Sequence, residues 1–149
     1  MSEIAAQLRR LVRERAGSRC EYCGLSQEGQ EATFHVDHIV PKRTAGSTRA
    51  DNLALACVSC SLRKEARRSA VDPATGRTAP LFHPRRQRWA DHFRWEGVRV
   101  AGLTPTGRAT VAALRMNRPL ILAIRQEEAL HGRHPPAEQS TASPKLVRR

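Results

Sequence analysis

The chain has 149 residues, enough for one modest domain with an extension or tail. Its formal net charge of +12 favours a polyanionic partner, with nucleic acid ahead of an anionic membrane surface. No apolar run approaches the roughly 20 residues of a membrane span, and the polar N-terminus has no apolar signal segment, so the expectation is a cytoplasmic protein with no membrane partner.

Residues 2–16 are predicted as an amphipathic helix. Ser2 can cap it, Ile4, Leu8, Leu11 and Val12 share a face, and Gly17 is placed to end it. Arg9, Arg10, Arg13 and Arg15 cover the other side, either as a solvated face or as a phosphate-contacting one. Residues 18–30 hold Cys20-Glu21-Tyr22-Cys23 and a Gly/Gln-rich loop. Residues 32–40 alternate as a short strand does, residues 41–51 read as a loop, and Leu53 to Ala56 as a second apolar run. Ser59 can cap a helix reaching about Ser69. Asp72-Pro73 and Thr75-Gly76 are turn signals.

Phe93 and Trp95, then Glu96-Gly97, then Val98 and Val100 predict a hairpin. Thr104-Pro105 is an N-cap followed by a first-turn proline, opening a helix to Met116. Asn117 and Pro119 break it, and a last helix runs from 119 to 130, ended by Gly132. The Pro-, Ser-, Thr- and Gln-containing segment 133–149 is predicted to be a disordered tail. The organisation is thus an N-terminal helix (1–17), a core (18–69), a C-terminal α+β extension (70–132) and the tail.

All four cysteines fall in two Cys-x-x-Cys pairs, Cys20/Cys23 and Cys57/Cys60. In a reducing compartment this spacing favours metal over disulfides. Two such turns supply the four sulfurs of a closed, structural zinc site, which leaves no open position for water. The pairs are separated by 33 residues, more than a common zinc ribbon uses, so something is inserted between them.

The insert is His35-Val36-Asp37-His38-Ile39-Val40-Pro41. Phosphodiester hydrolysis needs water deprotonated near neutral pH, phosphate charge neutralised and a leaving oxygen stabilised. A histidine suits the first task and a hard cation on a carboxylate the other two. On a strand, Asp37 and His38 would point to opposite faces, but at a strand end the chain can twist so that both reach one phosphate. His35 would share Asp37's face as an extra ligand or phosphate contact.

Taken together, Cys20-x-x-Cys23, the His35–Pro41 segment, Asp51-Asn52-Leu53, Cys57-x-x-Cys60 and Lys64 resemble the HNH endonuclease family, the ββα-metal or His-Me finger nucleases. The segments Leu81-Phe82-His83-Pro84-Arg85 and Gly107-Arg108-Ala109-Thr110-Val111 resemble a bacterial subgroup of it. The resemblance implies an α+β protein with a small ββα-metal core over 18–69, braced by the four-cysteine zinc site and flanked by helices and a C-terminal hairpin. It implies that Asp37 binds the catalytic cation, that His38 is the general base and that Asn52 steadies the base's loop. The position after the second knuckle, usually Asn or His as second cation ligand, is Ser61 here. Three outcomes are open at this point: Ser61 binds weakly or through water, Glu65 one helical turn on substitutes, or the site is impaired.

The basic residues Lys42, Arg43, Arg63, Lys64, Arg67 and Arg68 flank this centre as a candidate nucleic-acid track, with Arg49 and, further on, Arg85, Arg86 and Arg88. Trp89, Phe93 and Trp95 are assigned to the core of the C-terminal part rather than to base stacking. The expected function is metal-dependent hydrolysis of DNA phosphodiesters, with structural zinc, a catalytic cation such as magnesium, manganese or nickel, and no small-molecule cofactor. RNA stays open as substrate. The alternative is a zinc-stabilised nucleic-acid-binding module with impaired or no cleavage.

Overall fold

The computed structural model describes residues 4–41 and 46–137. Helix α1 (Ala6–Arg15) is followed by strands β1 (His35–His38) and β2 (Leu53–Ala56) and by helix α2 (Val58–Lys64). Strands β3 (Ser69–Val71) and β4 (Thr78–Pro80), helix α3 (Trp89–His92), strands β5 (Phe93–Glu96) and β6 (Arg99–Gly102), and helices α4 (Pro105–Ala113) and α5 (Pro119–Leu130) complete the described fold. The strands pair as three antiparallel hairpins, β1–β2, β3–β4 and β5–β6. No helix among the described residues is long and apolar enough to cross a membrane.

The β1–β2 register sets His35 opposite Ala56, Val36 opposite Leu55, Asp37 opposite Ala54 and His38 opposite Leu53. Every residue of β2 is buried, as an unbroken run of small and branched apolar side chains allows. Both α1 and α2 pack against this hairpin. From α1, Val12 is fully buried, the Arg13 side chain donates to the Phe34 carbonyl and the Arg15 side chain to the Ala50 carbonyl at 2.7 Å. These two arginines therefore clamp the hairpin backbone. The expected cap Ser2 lies outside the described residues, and Ala5 at the helix start makes no side-chain capping bond.

Helix α2 corrects two expectations. Its cap is Cys57, whose sulfur accepts from the Cys60 amide at 3.4 Å, and not Ser59, which accepts from Arg63 Nε. It stops at Lys64, because Glu65 takes a left-handed φ of 49°. The chain then forms β3, which the arginine-rich sequence had extended as helix.

The C-terminal motifs assemble around α4. Thr104 caps the helix through the Gly107 amide, with Pro105 in the first turn, as the sequence predicts. A Cβ on Gly107 would lie 2.1 Å from the His92 carbonyl oxygen, so only glycine permits that approach. Arg108 Nε and Nη2 grip the two carboxylate oxygens of Asp72 at 2.9 and 2.8 Å, and Thr110 Oγ1 accepts from the Phe82 amide at 2.9 Å. Asn117 bonds both backbone groups of Val100 at 2.8 Å, tying the start of α5 to β6.

Phe82, Phe93, Trp89 and Trp95 form a chain of ring contacts with centroids 4.9 to 5.2 Å apart. They pack in or against the core, in agreement with their assignment. Arg133 and His134, placed in the tail by composition, are packed: Arg133 pairs with Glu128 at 2.8 Å, and His134 meets the Trp95 ring edge-on. Residues from 138 onward lie outside the described set.

The Arg108 guanidinium holds the Asp72 carboxyl down to about 2, below an ordinary aspartate at 3.8. A depressed folded-state pKa adds stability that is complete above the ordinary value and is lost as pH falls through the folded one. Asp72→Asn is therefore expected to lower the melting temperature near neutral pH, with the gap to wild type narrowing as the pH drops from about 4 towards 2. A constant gap across a pH series of thermal melts would contradict this.

Candidate metal and active centre

The two knuckles are built differently. Cys20 and Cys23 sit in a tight turn in which the Cys20 carbonyl accepts from the Gly24 amide and the Cys23 amide points at the Cys20 sulfur. Gly24 has φ of 80°, the left-handed geometry this turn requires. Cys57 and Cys60 form the first turn of α2. Glu21 joins the halves, because its amide donates to the Leu55 carbonyl and its carboxylate accepts from the Leu55 amide.

All four cysteines are buried and unbridged, and their sulfurs lie within 4.8 Å of one another. Cys23 Sγ and Cys57 Sγ are 3.7 Å apart. Tetrahedral zinc with Zn–S near 2.3 Å separates its sulfurs by roughly 3.8 Å. Burial pushes the Cys20 thiol up, whereas hydrogen bonds from Cys20, Cys23 and Cys60 hold Cys57 far below its ordinary value. Four crowded sulfurs of this kind suit a cation such as zinc.

Arg125 on α5 makes the same point from outside the cluster. Its side chain is only 2% exposed, and its Nη1 donates to the Val98 carbonyl at 2.7 Å. Its Nε and Nη2 have no hydrogen-bond partner. Burial lowers its pKa, and Cys23 followed by Cys60 opposes that shift. A buried guanidinium with idle donors is costly unless an anion lies beside it. A zinc tetrathiolate, with net charge −2, supplies one, so the residues present fit the ion. Neither Arg125 nor its burial is signalled in a chain this rich in arginine.

The second centre lies on β1 and the loop after it. His35 and Asp37 share one strand face by alternation, and His35 Nδ1 lies 2.8 Å from Ser61 Oγ on α2. His38, at the strand end, bonds Thr48 Oγ1 through Nε2 at 2.8 Å. Asn52 is buried and uses its whole amide. Oδ1 accepts from the Val40 amide at 2.8 Å, while Nδ2 donates to the carbonyls of Val40 at 3.0 Å and Ser47 at 2.7 Å. It thus closes the loop that carries Thr48.

Lys64 departs from its expected place on a nucleic-acid track. It is 3% exposed, and its ammonium donates to the Ile39 carbonyl at 3.0 Å, with the His38 carbonyl at 3.4 Å. Burial lowers its pKa and Asp37 opposes the shift, so the lysine lies within electrostatic reach of that carboxylate. Glu65 is exposed at the C-cap of α2, where its amide still donates to the Ser61 carbonyl at 3.0 Å but its φ of 49° departs from the helix. Arg63 is engaged by Ser59, and Arg67 donates to the carbonyls of Arg63 and Ala113. Arg68 is exposed. Lys42 and Arg43 lie outside the described residues.

An antiparallel hairpin followed directly by a helix, pinned by four cysteines, with an Asp-His pair at the strand end, defines a small ββα-metal core. Residues 20–67 match the family model for HNH endonucleases, so that segment is similar to this family. No curated protein and no solved structure matches the chain.

Cys57→Ala is expected to remove both a ligand and the α2 cap, abolishing zinc retention and cooperative unfolding together. Arg125→Met keeps the apolar stem and removes the charge. It should speed zinc transfer to a chelating dye by roughly tenfold, as loss of a supporting partner does, with Arg125→Lys intermediate. Equal transfer rates for wild type and Arg125→Met would refute the charge argument.

Proposed function

We propose that the protein is a metal-dependent endonuclease that hydrolyses DNA phosphodiesters. The observation that supports this most is that His38 is braced by its own contact beside Asp37. His38 is held through Thr48 on a loop closed by Asn52, and Asp37 shares its strand face with a histidine bonded to Ser61.

In this reading the His38 imidazole accepts the proton of the attacking water, a task to which a histidine side chain is suited near neutral pH. Thr48 fixes the ring's direction, and Asn52 fixes Thr48's loop. Asp37 and Ser61 Oγ are the groups that would hold a divalent cation such as magnesium, manganese or nickel. When bound, the cation supplies neutralisation of the phosphate and positive charge for the leaving oxygen. A serine hydroxyl alone is a weak ligand. With His35 Nδ1 as acceptor, the Ser61 O–H donates to the ring, and its oxygen lone pairs stay directed elsewhere with added negative character. His35 is thus a positioning residue that compensates for the missing Asn or His. Glu65 has no part in this set.

His38→Ala is expected to reduce cleavage of a plasmid by a hundredfold to ten-thousandfold, about the usual loss for a positioned base, while leaving duplex binding and zinc content intact. Asp37→Ala should stop cleavage and weaken cation uptake. His35→Ala should weaken manganese binding, followed by calorimetry on the zinc-loaded protein, by roughly tenfold or more, and Ser61→Asn should make the protein indifferent to His35. A wild-type protein that binds duplex but cleaves neither DNA nor RNA with any of the three cations would leave the binding-module reading in place.

A further inference from the structure

A cavity of about 590 Å³ opens behind the base's loop, walled on one side by Val40, Ser47 and Asn52 and on the other by His83, Arg85 and Arg86, with Arg49 and Arg68 at its margins. Among the described residues, the acidic one on its wall is Asp51, which lies 3.4 Å from Arg49. Arg85 is held by Glu21 of the first zinc knuckle. No carboxylate among the described residues pairs with Arg68 or Arg86. Two arginines therefore face a polar cavity with their charge unanswered.

The turn at 83–87 is organised in an unusual way. His83 Nδ1 accepts from the backbone amides of Arg85 at 3.2 Å and Arg86 at 3.3 Å, and the His83 amide donates to Gln87 Oε1 at 2.9 Å. An acceptor at Nδ1 puts the proton of the neutral ring on Nε2. Burial, then the Arg86 charge, lowers the His83 pKa, which keeps the ring neutral. The groups around it are cationic: Arg85, Arg86 and Lys64 all oppose its protonation. His83, whose neutral ring carries its proton on Nε2, thus lines the cavity beside two guanidinium groups that no described carboxylate pairs with, residue types that suit a phosphate oxygen.

We infer that this cavity is a phosphate subsite, which takes a backbone phosphate of bound DNA next to the cleaved position and contacts it through Arg68, Arg86 and His83. The inference rests on the nucleic-acid reading given above and adds to it a second anchoring point, built from the C-terminal extension. Its place explains why the extension is wired to the core through Arg85 and Glu21. A phosphate seated there also presses on the loop that Asn52 closes, so substrate binding and positioning of His38 share a wall.

The test uses zinc-loaded full-length protein and a short fluorescent duplex without added divalent cation, with anisotropy read across a salt series. Arg68→Ala/Arg86→Ala is expected to reduce the log–log salt slope by about 1 to 2 and to weaken binding about tenfold or more near 0.15 M salt. Arg99→Ala/Arg115→Ala removes the same charge away from the cavity and should shift the slope much less. His83→Asp keeps an acceptor for the two amides but sets a negative charge in the cavity, and should weaken binding at least as much as the arginine pair. If the two arginine pairs have equal effects, the subsite is refuted, whatever the nuclease reading. If cavity variants lose binding while wild type binds but never cleaves, the subsite stands and the nuclease reading falls.

Discussion

The hairpin and helix that carry the candidate centre are both tied to the four-sulfur cluster. Cys57 is at once a cluster member and the cap of α2, so the start of the helix that carries Ser61 and Lys64 is set by the cluster. Glu21 lies between the other two cysteines and takes both its amide and its carboxylate to Leu55 on β2, whose partner strand carries His35 and Asp37. A small core with few aromatics has little apolar area to fix such positions by packing alone. Binding energy at a tetrathiolate is folding energy, and here it acts where the hairpin and the helix must meet.

Around that fixed point, the chain repeatedly uses polar side chains to close backbone onto backbone. Asn52 does so for the loop after β1, Asn117 for β6 and Lys64 for the end of β1. Asn52 and Lys64 are buried and Asn117 is half-buried, so removing any of them would leave backbone donors or acceptors without their partner, at a cost that is greatest for the two buried groups. Lys64 has a double effect, because its charge also sits within reach of Asp37. The Asp37 carboxylate thus has a resident ammonium within electrostatic reach, which offsets its charge.

Much of this was legible in the sequence, and the rest was hidden for physical reasons. The cysteine spacing, the β1–β2 pair, the Thr104-Pro105 start and the Phe93–Val100 hairpin all rest on local chemistry, and the structure follows them. The β3–β4 hairpin was hidden because α2 ends at Glu65, a residue that does not favour left-handed backbone, with no glycine or proline to signal the stop. Lys64 and Arg125 look like surface cations in a chain with 26 lysines and arginines. Only tertiary contacts reveal that one braces a strand end and the other faces the sulfurs. The His35–Ser61 bond spans 26 residues and depends on the hairpin register, which no local pattern encodes.

The departure at Ser61 is informative because it falls where the scaffold is most tightly held. The first turn of α2 is bound by Cys57 and Cys60, so the residue after the knuckle can change without moving the helix. A change at Ser61 would therefore leave the fold in place, unlike one at Cys57 or Asn52. A weaker ligand at a fixed site can be corrected from the facing strand, and His35 is the group on that strand within hydrogen-bonding distance. The correction works through the direction of one proton. If the ring accepts at Nδ1, the serine oxygen becomes a better ligand; if the ring donates there, one of the oxygen's lone pairs is occupied and the ligand is worse. In the proposed reading, the tautomer of His35, a residue outside the Asp-His pair itself, would set how well Ser61 Oγ serves a cation.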